Sequence, residues 1–325
     1  MVNISFEQGQ NGRLILTPES RAMIMEMHPW ERYTAYHDYC RQIYRQNNPA
    51  GQSLPEPQVS NLGHQVLPNL ISPEDVAALQ QLLDERVDGP NLDADGNPMW
   101  FASLPWTMMR INVVRQVLGR MFAGDISKAL EAYFGSYFRI MSLSLVRGFP
   151  GKADGSFLWH RDYQPPQQFH LMVYLTDSNE EGGGTTFLNF EDTKAAAYAG
   201  IHFQSMDKER FYSIKDMEAK VGRPMTTYRP EMTAGDGVMF AAPRILHQGN
   251  RPKAGQRDTL QLLMLPSPVP WDEYLAREPG RVFVSEHPGA AFFEPFEGTG
   301  LAKNDDVPVC DWAVATMMFP PGYEG

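Results

Sequence analysis

The spacing of apolar residues differs between the two halves of the chain. In the first half, apolar side chains recur every three or four positions, as in Val76, Leu79 and Leu83, which is typical of helices with one buried face. Ser72 and Pro73 come directly before this stripe and are residue types that favour the first turn of a helix. The pattern predicts three helical segments, at about residues 29–45, 73–87 and 110–135.

From about residue 138 the apolar period changes to two, which predicts β-strands. The alternating runs are residues 138–147, 169–175, 185–188, 237–240 and 259–265. Because helices come first and short strands follow, we predict an α+β fold that is mainly β. In it, a β-sandwich or barrel is backed by helices from the N-terminal half.

We expect residues 1–325 to form a single domain. Residues 1 to about 135 are predicted to be a helical support for the β core, which covers about 136–266. Few strand signals occur over about 190–230, so this stretch is predicted to be an insertion. Residues 267–325 are rich in proline and aromatic side chains and are predicted to wrap around the core as a tail.

Composition narrows the classes of partner. Asp and Glu exceed Lys and Arg by 39 to 28, so the net charge of −11 argues against nucleic acid as the main partner. No run of 18 apolar residues occurs, so no membrane contact is predicted. The two cysteines exclude a disulfide framework, and the first eight residues lack an apolar signal-peptide core, so a cytoplasmic location is expected. Composition does not predict an oligomeric state.

Three residues in the second half form a candidate metal site. His160 and Asp162 are two positions apart, so in an extended segment both side chains point to one side. His247 follows the predicted strand 237–240. Two imidazoles and one carboxylate on one face are the ligand set of non-haem Fe(II), with other positions left open. A structural zinc site is disfavoured because such sites take four protein ligands, often cysteines, and neither cysteine lies near these residues.

A candidate carboxylate anchor follows the last of these ligands. Arg257 lies ten positions after His247, and Thr259 lies on the same side of the predicted strand 259–265 as Arg257. A guanidinium fork beside a hydroxyl is suited to a terminal carboxylate. A dicarboxylate held there could reach the metal with its other end.

Together these residues resemble the motif of the Fe(II)/2-oxoglutarate-dependent dioxygenases, over about residues 138–266. The parts that carry the resemblance are His160-x-Asp162, His247 and Arg257-x-Thr259. The resemblance implies a double-stranded β-helix core of jelly-roll or cupin-like type. It also implies a single catalytic domain that uses Fe(II), 2-oxoglutarate and O₂.

Features of several branches of this superfamily occur in the chain. Residues 159–162 and the helical N-terminal half look like the phytanoyl-CoA dioxygenase-type branch, while residues 181–187 look like the prolyl-hydroxylase branch, whose anchor is Lys rather than Arg. The nucleic-acid demethylating branch carries a second Arg where this chain has Leu263. Related halogenases lack the carboxylate that Asp162 supplies here, so oxygen transfer is favoured.

The resemblance and the positions near the motif suggest further contacts. We predict that Tyr174 and Thr186 contact the cosubstrate. Candidate substrate contacts are Ser144, Arg147, Gln168 and His170.

The function that the resemblance implies is hydroxylation of an unactivated C–H bond of a small molecule, such as an amino acid or a natural-product intermediate. Succinate and CO₂ would be the co-products, and desaturation or cyclisation stays open. The alternatives are hydroxylation of a peptidyl side chain, a non-catalytic jelly-roll binding protein, and a metal-dependent hydrolase or isomerase. A binding protein is expected to have lost ligands, whereas the four expected residues are all intact: His160, Asp162, His247 and Arg257.

Overall fold

A computed structural model describes residues 6–8, 14–16, 19, 29–49, 57–85, 87, 89, 101–103, 108–152, 155–162, 168–201 and 210–273. The helices are α1 (Pro29–Asn47), α2 (Val59–Leu62), α3 (Pro73–Asp84), α4 (Met108–Phe122), α5 (Asp125–Phe134), α6 (Phe190–Tyr198) and α7 (Ile214–Val221). The strands are β1 (Phe6–Gln8), β2 (Leu14–Leu16), β3 (His64–Leu67), β4 (Phe101–Ser103), β5 (Tyr137–Gly148), β6 (Phe169–Tyr174), β7 (Gly184–Leu188), β8 (Thr227–Tyr228), β9 (Gly237–Phe240), β10 (His247–Asn250) and β11 (Arg257–Ser267).

The predicted helices are present, with one difference. Helix α3 begins as the sequence indicates, because the hydroxyl of Ser72 accepts a hydrogen bond from the backbone N–H of Asp75 at 3.2 Å. The segment predicted as one helix over 110–135 is two helices, α4 and α5. Gly124 has an extended backbone between them, and the Ser127 hydroxyl donates to the carbonyl of Phe122 at 2.6 Å, which satisfies the end of α4.

Two antiparallel sheets form the β part of the described chain. The large sheet has six strands in the order β3-β9-β6-β11-β5-β4, and the small sheet has three in the order β10-β7-β8. Strand β10 has no apolar alternation and was not predicted. It pairs with β7, while β11 pairs with β5 and β6, so the strand that begins at His247 and the strand that begins at Arg257 lie in different sheets.

The two faces of the large sheet have different surroundings. On one face, Leu171 of β6 and Leu260 of β11 pack in the main core with Leu79 of α3 and Leu130 of α5. On the other face, side chains from β6 and β9 pack with Phe187 of the small sheet. The large sheet therefore lies between the helices and the small sheet, with side chains alternating between the two faces.

The predicted insertion at about 190–230 contains helices α6 and α7 and strand β8 in its described part. Its apolar residues Ala196 and Met217 pack with Trp159 and Leu246, next to the candidate metal ligands in sequence. Of the predicted tail, only residues 267–273 are described, and Trp271 packs on Phe122 at 4.9 Å between ring centroids. None of the helices in the described part of the chain combines the length and apolar character that a bilayer crossing requires.

Candidate metal centre

Backbone pairing brings the three candidate ligands together. His160 and His247 form a two-way bridge, in which each backbone N–H donates to the other carbonyl, at 3.0 and 2.9 Å. The backbone N–H of Asp162 donates to the carbonyl of Ala242 at 3.2 Å. Two segments that are distant in sequence are thus held side by side. The backbone hydrogen bonds therefore fix where the three side chains start relative to one another.

The three side chains meet at one point. Asp162 Oδ1 lies 3.5 Å from His160 Nε2 and 3.8 Å from His247 Nε2. All three potential ligand atoms lie within 4.8 Å of one another. One ion can therefore contact all three, and the residues form a two-histidine, one-carboxylate triad.

Both histidines present the same nitrogen to this point. His160 Nδ1 lies 2.7 Å from the carbonyl of Leu158, and His247 Nδ1 lies 3.1 Å from the carbonyl of Ile245. A carbonyl only accepts, so each Nδ1 carries the hydrogen and donates it. The lone pair is then on Nε2 in both rings, which is the arrangement that a metal requires from a histidine.

The electrostatics set the protonation states that a metal needs. Burial lowers the pKa of His247 to about 4 and lowers that of His160 well below its usual value. At Asp162 burial acts in the opposite direction, but the neighbouring imidazoles outweigh it, His170 first, and hold the pKa of this carboxyl well below its usual range. At neutral pH the site offers two neutral imidazoles and one carboxylate.

A third imidazole lies beside the triad. His170 Nε2 is 2.8 Å from Asp162 Oδ2 and 2.9 Å from the side-chain amide of Gln168. The sequence predicted both residues as substrate contacts. The structure places His170 against a candidate metal ligand and Gln168, which is fully buried, behind His170.

The predicted anchor lies in the same cavity as the triad. Arg257 is buried, and its Nη2 donates to the hydroxyls of Tyr174 and Thr185 at 3.2 and 3.3 Å. These two hydroxyls are 2.9 Å apart. Among the described residues, no carboxylate lies within 4.0 Å of the Arg257 guanidinium, so its charge has only neutral partners there.

The structure places Thr185 where the sequence suggested Thr186. Successive side chains of a strand point to opposite faces, and on β7 it is Thr185 that reaches Arg257. The hydroxyl of Thr186 instead accepts from the Asn250 amide at 2.7 Å. The predicted place of Thr186 beside the carboxylate anchor is therefore corrected to Thr185. Thr259 lies opposite Tyr174 in register and is nearly fully buried.

Arg147 is also corrected. Its guanidinium forms two hydrogen bonds with Asp258, at 2.7 and 2.8 Å, and one with Asp84 at 2.6 Å. These partners hold it on the helix-facing side of the large sheet, away from the cavity, so it is not a substrate contact there. Ser144 lies directly opposite Gln261 in register, and both side chains are partly exposed on the face that carries Arg257.

One cavity of about 130 Å³ connects these groups. His160, Asp162 and His247 lie along its wall together with Arg257. Its other lining residues include Ser156, Phe157, Met172, Thr185, Phe240 and Gln261, none of which the sequence singled out. Gln261 could have been found, since it is four positions after Arg257 and so on the same face of β11. The others depend on pairing between distant strands.

No family model matches the chain, and no curated protein matches it. Similar folds occur among solved structures. The non-heme alpha ketoglutarate dependent epimerase SnoN from nogalamycin biosynthesis is 15% identical, with 72% of this chain and 82% of that chain covered and a TM-score of 0.44. The non-heme alpha ketoglutarate dependent carbocyclase SnoK from the same biosynthesis is 14% identical, with coverages of 67% and 87% and a TM-score of 0.45.

A third structure, EctD from S. alaskensis in its apoform, is 15% identical, with coverages of 64% and 74% and a TM-score of 0.42. At these identities and scores the similarities do not by themselves assign an activity.

Proposed function

We propose that the chain is an Fe(II)- and 2-oxoglutarate-dependent oxygenase with a double-stranded β-helix core. The observation that carries the proposal is a single cavity with a two-histidine, one-carboxylate triad at one place and the buried, carboxylate-free Arg257 at another. In this cavity the triad would bind the metal, and Arg257 would bind the far carboxylate of a dicarboxylate.

The residues present fit a bound Fe(II). Nε2 of His160, Nε2 of His247 and Oδ1 of Asp162 would hold it, and their protonation states need no change at neutral pH. Three protein ligands leave positions open, which suits iron oxygenases better than structural zinc sites, where four protein ligands close the metal. When bound, the iron supplies activation of O₂, with 2-oxoglutarate as co-reductant and succinate and CO₂ as co-products.

The chain's own residues bind and orient the cosubstrate. Arg257 would form a charge-assisted pair with the distal carboxylate of 2-oxoglutarate, and the hydroxyls of Tyr174 and Thr185 would donate to the same group. An unpaired buried charge is costly, so a bound carboxylate would offset the cost of burying the Arg257 guanidinium among neutral partners. Thr259 lies two residues after Arg257 on the same face of β11, and we propose that its hydroxyl also contacts the cosubstrate.

We propose hydroxylation of an unactivated C–H bond of a small molecule as the reaction. Asp162 supports oxygen transfer over halogenation because it fills the third ligand position of the triad. Ser144 and Gln261 lie on the cavity face of the large sheet and are the proposed polar contacts to the substrate. The motif also suits the phytanoyl-CoA dioxygenase-type branch, and we place the chain there as part of this proposal.

The proposal is tested by reconstituting the apoprotein with Fe(II) and 2-oxoglutarate, which requires no known substrate. Apoprotein is loaded with Fe(II) under anaerobic conditions, 2-oxoglutarate is added, and the visible charge-transfer band of the iron–2-oxoacid chelate is recorded. Succinate release is then measured in air against a library of small molecules, with mass spectrometry for products that gain one oxygen. A wild-type protein that binds Fe(II) but gives neither the band nor succinate would refute the proposal.

A further inference from the structure

The two oxygens of Asp162 have different partners. Oδ1 is the oxygen that lies near the Nε2 atoms of both ligating histidines, at 3.5 and 3.8 Å. Oδ2 is the oxygen that lies 2.8 Å from His170 Nε2. One oxygen of the carboxylate therefore faces the candidate metal position, and the other faces a neighbouring side chain.

The proton between Asp162 and His170 can be assigned from the chemistry of the pair. An ionised carboxylate only accepts hydrogen bonds, so His170 Nε2 must carry the hydrogen and donate it to Oδ2. The side-chain amide of Gln168 lies 2.9 Å from the same nitrogen. The atom placed there is the amide nitrogen of Gln168, and its buried oxygen has no hydrogen-bond partner in the described part of the chain. Two donors would repel each other, so we infer the reversed amide, with its oxygen accepting from His170.

We propose that His170 is a positioning residue that makes Asp162 bind the metal through Oδ1 alone. This inference rests on the proposed function, because it needs a metal at the triad. A carboxylate that turned to bind through both oxygens would occupy one more position around the ion. The hydrogen bond from His170 would hold Oδ2 away from a bound metal ion. That coordination position would then stay free for the cosubstrate, which binds the metal through two of its oxygens.

The surroundings of His170 hold its ring in place for this role. Phe240 lies directly opposite His170 in register, and its ring centroid is 5.0 Å from that of His170 and 5.1 Å from that of His247. His64 lies opposite Phe240 on the next strand but contacts Phe187 and Tyr228 rather than Asp162. His64 is thus a matched imidazole in the same row of the sheet without the proposed role.

The inference is tested by metal binding rather than turnover. Co(II) is titrated into apoprotein in place of iron, and the dissociation constant and the visible d–d spectrum are recorded with and without 2-oxoglutarate. His170→Leu removes the donor, His170→Asn keeps a polar group that is too short to reach Oδ2, and His170→Gln places an amide N–H near the position of Nε2. His64→Leu is the control for the loss of a buried imidazole.

We expect His170→Leu and His170→Asn to weaken Co(II) binding by about 10- to 100-fold, because the Asp162 carboxylate is no longer held in the binding orientation. The spectrum should change as well, because Oδ2 is then free to bind the ion. His170→Gln is expected to stay within about threefold of the wild type, since the donor is kept. His64→Leu is expected to bind Co(II) as the wild type does. Thermal melting checks that each variant folds. If His170→Leu does not fold, the comparison of His170→Asn with His170→Gln tests the inference.

Wild-type affinity and spectrum in the Leu and Asn variants would overturn this inference and leave the proposed function intact. Equal losses in His64→Leu, or in His170→Gln and His170→Asn, would also overturn it, because the loss would then come from packing rather than from the donor. If the wild type does not bind Co(II) or Fe(II) at all, the proposed function fails as well.

Discussion

Two buried arginines on neighbouring strands of the large sheet have opposite environments. Arg147 on β5 is 4% exposed and Arg257 on β11 is 8% exposed. Arg147 is paired with Asp258 and Asp84, whereas Arg257 contacts the hydroxyls of Tyr174 and Thr185 and, within the described residues, no carboxylate. Arg257 and Asp258 are adjacent in the chain, so their side chains point to opposite faces of the sheet.

The difference indicates that the helix-facing side of the large sheet serves stability and that its cavity side serves ligand binding. A buried cation that the fold neutralises with its own carboxylates has no need of a ligand, and removing either partner leaves a buried charge. A buried cation with only neutral partners is suited to a carboxylate from outside the chain. On this comparison, changes on the helix-facing side of the large sheet should alter stability, and changes on the cavity side should alter binding.

The largest effect is expected from the triad on the cavity side. His160→Ala or His247→Ala removes one of three ligands, so Fe(II) binding and 2-oxoglutarate-dependent succinate formation should both be lost. Iron stoichiometry is measured under anaerobic conditions, with His64→Ala as the control for a buried histidine outside the triad. Full iron occupancy in both triad variants would show that the metal binds elsewhere.

A large effect on stability, without an effect on binding, is expected from Asp258. Asp258→Asn leaves the buried Arg147 without its main counter-charge and should lower the free energy of unfolding by about 3–5 kcal/mol. Denaturant unfolding measures this change. The double variant Arg147→Met, Asp258→Asn should recover part of the loss, since no buried charge then remains unpaired.

The affinity of Asp258→Asn for 2-oxoglutarate should stay close to that of the wild type, because its side chain lies on the other face of the sheet. A loss of affinity as large as the loss of stability would remove the distinction between the two faces.

Arg257→Ala should have the reverse effect. Loss of a charge-assisted pair with a carboxylate should weaken 2-oxoglutarate binding by about 2–4 kcal/mol, which is about 30- to 1000-fold, while iron still binds. The fold loses an unpaired charge and should keep its stability. The iron–2-oxoacid band measures the affinity, and Lys253→Ala is the matched control, since Lys253 is exposed and pairs with Glu180 and Glu181. Unchanged affinity in Arg257→Ala would move the anchor elsewhere.

The smallest effect is expected at His37 on the helical side. Burial, with a contribution from Arg41, lowers the pKa of His37 to about 4, and its ring donates to the carbonyl of Phe134. Between pH 6.5 and pH 4 the unfolded chain therefore binds a proton that the folded chain does not. Stability should fall as the pH falls through this window, and the His37 contribution should reach about 2 kcal/mol at pH 5.

Denaturant unfolding of the wild type and of His37→Gln, at pH 7 and pH 5, isolates this contribution. The other histidines are common to both proteins, so only the difference between the two pH dependences reports on His37. The variant should lose less stability on acidification than the wild type. Equal pH dependences would show that His37 does not contribute.

Much of the fold followed from local patterns. The Ser72–Pro73 start of α3 and the long alternating strand β5 need only neighbouring residues for their prediction. Strand β10 could not be predicted in this way, because His247 to Asn250 has no apolar alternation and becomes a strand only by pairing with β7. The break between α4 and α5 was missed because the apolar stripe continues across Gly124.

The residues available for chemistry follow directly from the amino-acid sequence: the His160-x-Asp162 pair, His247, and Arg257 at the start of a strand. Their residue types and two-residue spacing limit what they can bind, and these are local properties of the chain. In contrast, which of two adjacent threonines, Thr185 or Thr186, reaches Arg257 depends on strand pairing in the folded protein.

Tertiary structure also decided that Arg147 has a carboxylate partner while Arg257 has none among the described residues, and that His170 contacts Asp162. The physical reason is that strand pairing joins segments far apart in the chain. The register of that pairing, rather than any local preference, selects the face on which each side chain lies.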